Sequence, residues 1–376
     1  MNMSAVLQEE KIKKTVLYEA HVKLGGQMVP FGGFEMPVKY SSIIAEHQSV
    51  RENAGIFDLS HMGEFEIIGS DAFAFLQKMT TNDVTLLNPG KVQYTAMCHE
   101  TGGIMDDCVL YQMDDRYLLV VNATNIEKDL NWLIEHITGD VSIRDVSDET
   151  SLIAVQGPKS RNIILEVFGD KNAIVQLPFY HHIALVYGSD EILCARTGYT
   201  GELGFELFCK NEIAPKLWSH LLETGKSHVL VPVGLGARDT CRLEMKYCLY
   251  GNDIDEKTNP LEAGLGWITK FEKGDFVGRE SLLQIKENGT EKKLIGFEMR
   301  ERGIPRKDYR IFSNGEPAGI VTSGGYSPSM KNGIGLGYVH VKKSIPSTKI
   351  SLEIRDKLLM AEVVKTPFWK QGTYLK

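Results

Sequence analysis

Cysteine is sparse and unpatterned in this chain. Cys98, Cys108, Cys194, Cys209, Cys241 and Cys248 include no CxxC pair, so neither a disulfide framework nor a zinc site is expected. An excess of basic residues is missing too. The net charge is -7 and the pI near 5.9, the opposite of a nucleic-acid-binding footprint. No apolar run reaches the ~18 residues that a membrane span requires. No arginine precedes Arg51, and Glu9 and Glu10 are mixed with Lys11, Lys13 and Lys14, which suits neither a signal peptide nor an organellar transit peptide. These absences predict a cytoplasmic chain with no nucleic-acid and no membrane partner. Apolar content is not short. At 43% of 376 residues it supports a sizeable core and more than one typical domain.

Familiar catalytic motifs are also missing. No Gly-x-Ser-x-Gly elbow occurs, and no lone cysteine has a local basic neighbourhood that would activate its thiol. Gly234-x-Gly236 lacks the third glycine and the parallel βαβ setting of a dinucleotide site. Asp253-Ile254-Asp255-Glu256-Lys257 starts like a calcium loop, then puts Lys257 at a ligand position and Thr258 where glycine belongs. His181 and His182 are neighbours that point apart, without a carboxylate at metal-ligand spacing. No metal is expected.

What the chain does contain is Gly102-Gly103-Ile104-Met105-Asp106-Asp107-Cys108-Val109-Leu110-Tyr111. It reads as a glycine turn feeding a strand. Strand alternation puts Ile104, Asp106, Cys108 and Leu110 on one face, and Met105, Asp107, Val109 and Tyr111 on the other. At least one carboxylate then lies among apolar side chains, where it needs partners or a ligand. Taken alone, the same residues also suit a surface turn with aspartates capping backbone amides.

Around that stretch the pattern predicts helices over about 43–53, 72–80, 126–136, 158–168, 215–224, 237–249 and 278–287. Strands are expected over 64–68, 94–98, 108–111, 117–122 and 152–155. Residues 1–14 read as a charged lead-in. On the 237–249 helix, Cys241, Met245 and Cys248 would form a packing stripe. Asn288-Gly289-Thr290 marks a boundary, beyond which strands punctuated by Asn314-Gly315, Gly324-Gly325, Gly333, Gly335 and Gly337 read as a small barrel or jelly roll. The fold class is α+β, with a catalytic region over 1–290 and an all-β domain over 291–376.

Five motifs carry a resemblance: Phe57-Asp58-Leu59-Ser60-His61-Met62-Gly63-Glu64, Gly102-Gly103-Ile104-Met105-Asp106-Asp107, Arg196-Thr197-Gly198-Tyr199-Thr200-Gly201-Glu202, Gly234-Leu235-Gly236-Ala237-Arg238-Asp239 and Thr258-Asn259-Pro260. In order and spacing, from about Tyr18 onward, the chain resembles the aminomethyltransferase (T-protein) family of the glycine cleavage system. The resemblance implies a three-lobed fold around a central channel, two lobes interleaved within 1–290 and a C-terminal barrel. It also implies tetrahydrofolate as one-carbon acceptor and the aminomethylated lipoyl arm of H-protein as donor. The products would be 5,10-methylenetetrahydrofolate, ammonia and dihydrolipoyl H-protein.

Carried over position by position, the resemblance makes Asp107 the required carboxylate, and Glu206 and Arg238 folate-binding residues. It places Tyr94, Met62, Val120, Asn122, Tyr199 and Phe179 on the folate pocket, leaves Tyr374 without an assigned role, and puts Phe34 where relatives often carry tryptophan. The residue types suit that chemistry. Carboxylates accept hydrogen bonds from a reduced pterin without offering competing donors, and aromatic walls suit its faces. Transfer requires a folate nitrogen to attack a methylene carbon as ammonia departs, so orientation within one channel supplies much of the rate. An ionised aspartate could stabilise the cationic carbon. Two alternatives share the fold. One is a folate-dependent demethylase acting on a small methylated substrate. The other is a folate-binding accessory protein of iron–sulfur assembly, whose Lys-Gly-Cys-Tyr-x-Gly-Gln-Glu signature this chain lacks.

Overall fold

The glycine turn delivers its strand as the alternation requires, with one departure. In a computed structural model, which describes residues 12–169 and 171–376, strand Ile104–Gln112 pairs antiparallel with Val92–Cys98. Gly102 takes a left-handed φ of +86°, and a Cβ on Gly103 would lie 2.0 Å from the Glu256 carbonyl oxygen, so neither position tolerates a side chain. The departure is a bulge. Cys98 pairs with Ile104 and Met97 with Asp106, leaving Met105 as the extra residue. Met105, not Ile104, therefore packs with Cys108 and Leu110, while Ile104 joins a separate cluster with Ala96 and Cys98. From Asp106 onward the alternation holds.

Those two strands belong to a five-stranded sheet, ordered Val92–Cys98, Ile104–Gln112, Tyr117–Val121, Gly63–Ile68, Ser142–Asp145. One face packs on helices Ala72–Met79 and Ile126–Glu135 through Phe65, Phe75, Leu76, Leu119 and Leu133. A second sheet of six strands runs His182–Tyr187, Asp190–Ala195, Gly204–Lys210, Thr150–Gln156, Ala54–Asp58, Leu230–Pro232. Its outer face buries Ile56, Val155, Phe205 and Leu207 against helices Ser160–Phe168 and Ala214–Gly225, with Trp218 at the centre. The inner faces of the two sheets meet through Phe57, Val92, Tyr111, Val120, Leu152, Ala154, Ala195 and Phe208. Pairing is antiparallel except where Leu230–Pro232 lies parallel to Ala54–Asp58, as an α+β reading requires.

Helix Arg279–Asn288 leads into a closed six-stranded barrel formed by Lys292–Met299, Asn332–His340, Glu316–Ser327, Arg310–Ser313, Lys349–Ile354 and Lys357–Val364. Asn314 and Gly315 both take positive φ between two of these strands, the conformation that a tight hairpin turn selects.

Most of the expected elements are present within a few residues; the helix expected over 237–249 is not. It spans Leu235–Glu244 and stops because Lys246 turns left-handed at φ +59°, with its N–H returned to Leu243 and that of Tyr247 to Arg242. The stripe of Cys241, Met245 and Cys248 does not form. Cys241 packs between the two sheets, and Cys248 packs toward the barrel. Of the charged lead-in, residues 1–11 lie outside the described residues.

One buried cation joins these parts. Arg51, at the end of helix Ile43–Glu52, donates to Glu202 (2.8 Å), twice to Glu244 (2.7 and 3.1 Å), and to the carbonyl oxygens of Thr200 and Cys241. Glu244 also accepts from Ser327 and Ser329 of the barrel segment. Glu202 accepts from Trp369 and Thr373 of the C-terminal segment. Removing one member of a buried ion pair strands the others. Arg51→Leu should therefore cost ~3–5 kcal/mol in denaturant unfolding. Arg310→Ala, which breaks an exposed pair with Glu353, should cost about 0–1 kcal/mol. Equal shifts in the two midpoints would refute the central role of Arg51.

Candidate active site

The two inner sheet faces bring the expected residues toward one another. Asp107 follows the bulge on the side of Val109 and Tyr111, and Glu206 alternates with the outward-facing Phe205 and Leu207. Each carboxyl therefore points into the space between the sheets. Arg238 reaches the same space from the first turn of helix Leu235–Glu244, its guanidinium 4.6 Å from the Tyr199 ring centroid.

Asp107 is held from two sides. The Tyr94 hydroxyl donates to Oδ2 at 2.8 Å, and the Asn122 side-chain amide donates to Oδ1 at 2.9 Å. Burial, reinforced by the charge of Asp106, pushes the Asp107 carboxyl up to about 7, while the bonds from Tyr94 and Asn122 restrain the rise. Burial and the neighbouring Asp107 charge raise the Tyr94 phenol well above its usual value, so Tyr94 stays a donor. Glu206 accepts from the Thr197 hydroxyl. Burial raises its carboxyl above the usual range, opposed by Thr197, the Arg238 charge and a bond from Tyr111.

Tyr199 stacks on Tyr247 at 5.6 Å and donates to the Cys248 carbonyl, so its ring is fixed as a wall. Val120 is buried between the sheets, and Met62 packs partly buried against the same cluster. Phe179 lies further out, packed edge-on against Tyr180 (4.8 Å) and Tyr374 (5.3 Å). The Tyr374 backbone carbonyl accepts from Arg196 at 3.2 Å. Phe34, the departure from the family pattern, is a buried residue on strand Phe34–Lys39. His181 bonds the Phe179 carbonyl and His182 the Gln112 carbonyl. Asp253, the start of the apparent calcium loop, is instead paired with Arg242 at 2.6 Å. Among the described residues, no group of three or more His, Cys, Asp or Glu side chains is placed to hold a metal ion.

Several residues at this site went unread in the sequence. Thr197 and Tyr111, the partners of Glu206, lie inside quoted motifs, and strand alternation already put Tyr111 on the Asp107 face. Glu64 is 0% exposed with neither oxygen hydrogen-bonded among the described residues, and burial raises its carboxyl well above the usual value. Its signal was the strand period, which turns Glu64 inward beside Val120. Asp129 gave a comparable signal, a carboxylate on the apolar stripe of a helix.

The site offers acceptors at Asp107 and Glu206, an aromatic wall at Tyr199, and a cation at Arg238. Arg238 has no ion pair or hydrogen bond to protein among the described residues. That set fits a flat, partly polar ring system with N–H donors and an anionic or acceptor-rich extension.

The chain is similar to known proteins along almost its whole length. A family model described as the GCVT N-terminal domain matches residues 17–273, and one described as the glycine cleavage T-protein C-terminal barrel domain matches residues 292–370. The aminomethyltransferase of Halothermothrix orenii is 49% identical over 95% of this chain and 100% of its own. That of Bacillus subtilis is 46% identical over 96% and 100%. A crystal structure of glycine cleavage system aminomethyltransferase T from Bartonella henselae superposes with a TM-score of 0.89 at 33% identity, covering 96% of this chain and 99% of that one.

The position of the Asp107 carboxyl predicts a pH effect. Because its pKa is raised, the ionised form appears only as pH climbs through about 7, so kcat/KM of the free enzyme should rise across that interval. Asp107→Asn should remove the rise and lower kcat by about 10²–10³-fold. Asp106→Asn, which keeps an acceptor oxygen, should cost less. Steady-state rates from pH 5.5 to 8.5 test both expectations, and equal losses in the two folded variants would assign the carboxylate wrongly.

Proposed function

The chain belongs to the glycine cleavage T-protein family of aminomethyltransferases, and on that premise we propose its donor, its docking partner and the roles of its site residues. It is a folate-dependent one-carbon transferase of the glycine cleavage system, with tetrahydrofolate as the one-carbon acceptor. The donor we assign is the aminomethyl-lipoyl arm of H-protein, and the products are 5,10-methylenetetrahydrofolate, ammonia and dihydrolipoyl H-protein. We place the reaction in the cytoplasm. No helix among the described residues is long and apolar enough to cross a membrane. Residues 1–290 would carry the chemistry and 291–376 the barrel that supports it.

The observation that carries the role assignment is the half-buried carboxyl of Asp107, fixed by Tyr94 and Asn122 on a face opposite Glu206. In this reading Glu206 and Asp107 accept from the N–H groups of the reduced pterin, and Tyr199 covers a ring face. Arg238, which makes no ion pair with a carboxylate among the described residues, takes an acceptor on the folate. Met62, Val120 and Phe179 close the apolar border. Asp107 holds the reacting nitrogen in line and places negative charge beside the carbon that becomes electron-poor as ammonia leaves. Asp107, Glu206 and Tyr199 are held by protein hydrogen bonds before the folate enters, so little reorganisation of these groups remains for the reaction itself.

Two measurements test this reading. Glu206→Gln and Arg238→Ala should each weaken tetrahydrofolate by ~1.5–3 kcal/mol in calorimetric titration, the range for a lost hydrogen bond to a charged group. Unchanged affinity in both would remove them from the pocket. For the donor, ammonia release should be far faster from aminomethylated H-protein than from free aminomethyl-dihydrolipoamide at equal concentration, because docking raises the local concentration of the arm. Methyltetrahydrofolate formed from a small methylated donor, with no ammonia from H-protein, would establish the demethylase alternative instead.

A further inference from the structure

Helix Ile126–Glu135 buries a carboxyl that the mechanism above leaves unused. Ile126, Leu130 and Leu133 pack toward the five-stranded sheet. Asp129 lies on the same stripe and is 0% exposed. No donor among the described residues bonds either of its oxygens. Among the described residues, the group set against it for a side-chain hydrogen bond is the carboxyl of Asp106, also 0% exposed. Two ionised carboxylates cannot bond each other, so one of the pair must carry a proton.

The surroundings decide which one. Asp106 already accepts from the Asn122 backbone N–H at 3.0 Å, the Asn122 side-chain amide at 2.8 Å and the Asn125 side-chain amide at 2.7 Å. Three donors already occupy the Asp106 oxygens as acceptors. Asp129 has none, and the charged form there would be unsupported. We propose that Asp129 is a positioning residue for the one-carbon transfer: it keeps one proton, donates it to Asp106, and through Asp106 fixes the Asn122 amide that holds Asp107. The proposal rests on the reading of Asp107 as the reacting carboxylate.

The geometry gives the chain of contacts a definite consequence. The Asn122 side-chain amide faces Asp106 Oδ1 and Asp107 Oδ1 at 2.8 and 2.9 Å. With one N–H anchored on Asp106, the other is aimed at Asp107, and the amide cannot flip without losing both. The charged and titratable groups around Asp129 are Asp106, Asp107 and Cys108 on the sheet, Tyr250 on the loop above it, and Lys128 on its own helix. Lys128 directs its ammonium to the Met105 carbonyl and the Tyr250 hydroxyl. Burial first, and the Asp106 charge next, push the Asp129 carboxyl up to about 11, so it stays protonated across the working range of an enzyme.

The test uses the full-length enzyme with Asp129→Asn, which retains an uncharged donor, and Asp129→Leu, which retains only bulk. Infrared difference spectra above the titration of Asp107 should show a deuterium-sensitive carboxylic acid carbonyl band in the parent that Asp129→Asn lacks. The Glu64 band is common to both proteins and cancels. Asp129→Asn should keep a kcat close to that of the parent and its rise with pH. Asp129→Leu should lose about 10–100-fold in kcat, as expected for a misplaced reacting group, with a smaller change in KM for tetrahydrofolate. No infrared difference would overturn the protonation. Equal kcat in the two folded variants, whether retained or lost, would overturn the positioning role. An enzyme that releases no ammonia from any donor would sink the activity reading by itself, and the infrared difference would still decide the proton.

Discussion

The architecture depends on a guanidinium that cannot leave its carboxylates. Arg51 is 8% exposed, and Glu202 and Glu244 are 3% and 0% exposed. Inside a low-dielectric core each ionised group would be unstable without the others. The constraint is geometric as well as electrostatic. A planar fork must meet Glu202 from the glycine-rich loop and Glu244 from the end of helix Leu235–Glu244 at the same time. When it does, that helix is held in place, and its first turn presents Arg238 to the site. The loop that carries Tyr199 is fixed by the same contact. Hydrophobic burial makes the body of the protein stable, and this polar junction sets how the walls are aligned.

The space between the sheets follows an opposite rule. Arg51 brings unlike charges together, whereas the Asp107 neighbourhood crowds carboxyls that repel. Asp106 and Asp129, both buried, and the half-buried Asp107 lie in one patch beside Asn122 and Asn125. Such crowding is costly for stability, and the cost is typical of sites where a group must be kept at an unusual protonation state. A carboxyl held near neutrality on folding takes up a proton, so it lowers stability as pH rises from the usual aspartate range to about 7. The stable core of apolar side chains around both sheets offsets that loss.

Much of this was readable in the residues. The strand period placed Asp107 with Tyr111 and apart from Asp106, and the glycine turn before them was required by a left-handed residue and a close backbone approach. The barrel showed in its turn residues. The bulge at Met105 did not, because an extra residue in a ladder leaves no mark on composition. The early end of helix Leu235–Glu244 was hidden for a different reason: Arg242 captures the Tyr247 carbonyl and Asp253 from the loop that follows, and these bonds override a continuing apolar period. Arg51 is one arginine among many until Glu202 and Glu244 are brought beside it. Phe179 lies at the outer edge, a placement that only the packing of Tyr180 and Tyr374 defines.

The return of the C-terminal segment to Glu202 bears on the order in which the molecule is made. The strands and helix that enclose Asp106, Asp107 and Asp129 leave the ribosome together, since they lie within residues 92–135. Trp369 follows residue 135 by 369 − 135 = 234 residues, tens of seconds at ~5–20 residues per second. For that interval the nascent chain can build the carboxylate wall, while the Glu202 loop opposite waits for two of its partners. The finished cleft therefore waits on Trp369 and Thr373, which are made well after both of its carboxyl-bearing walls.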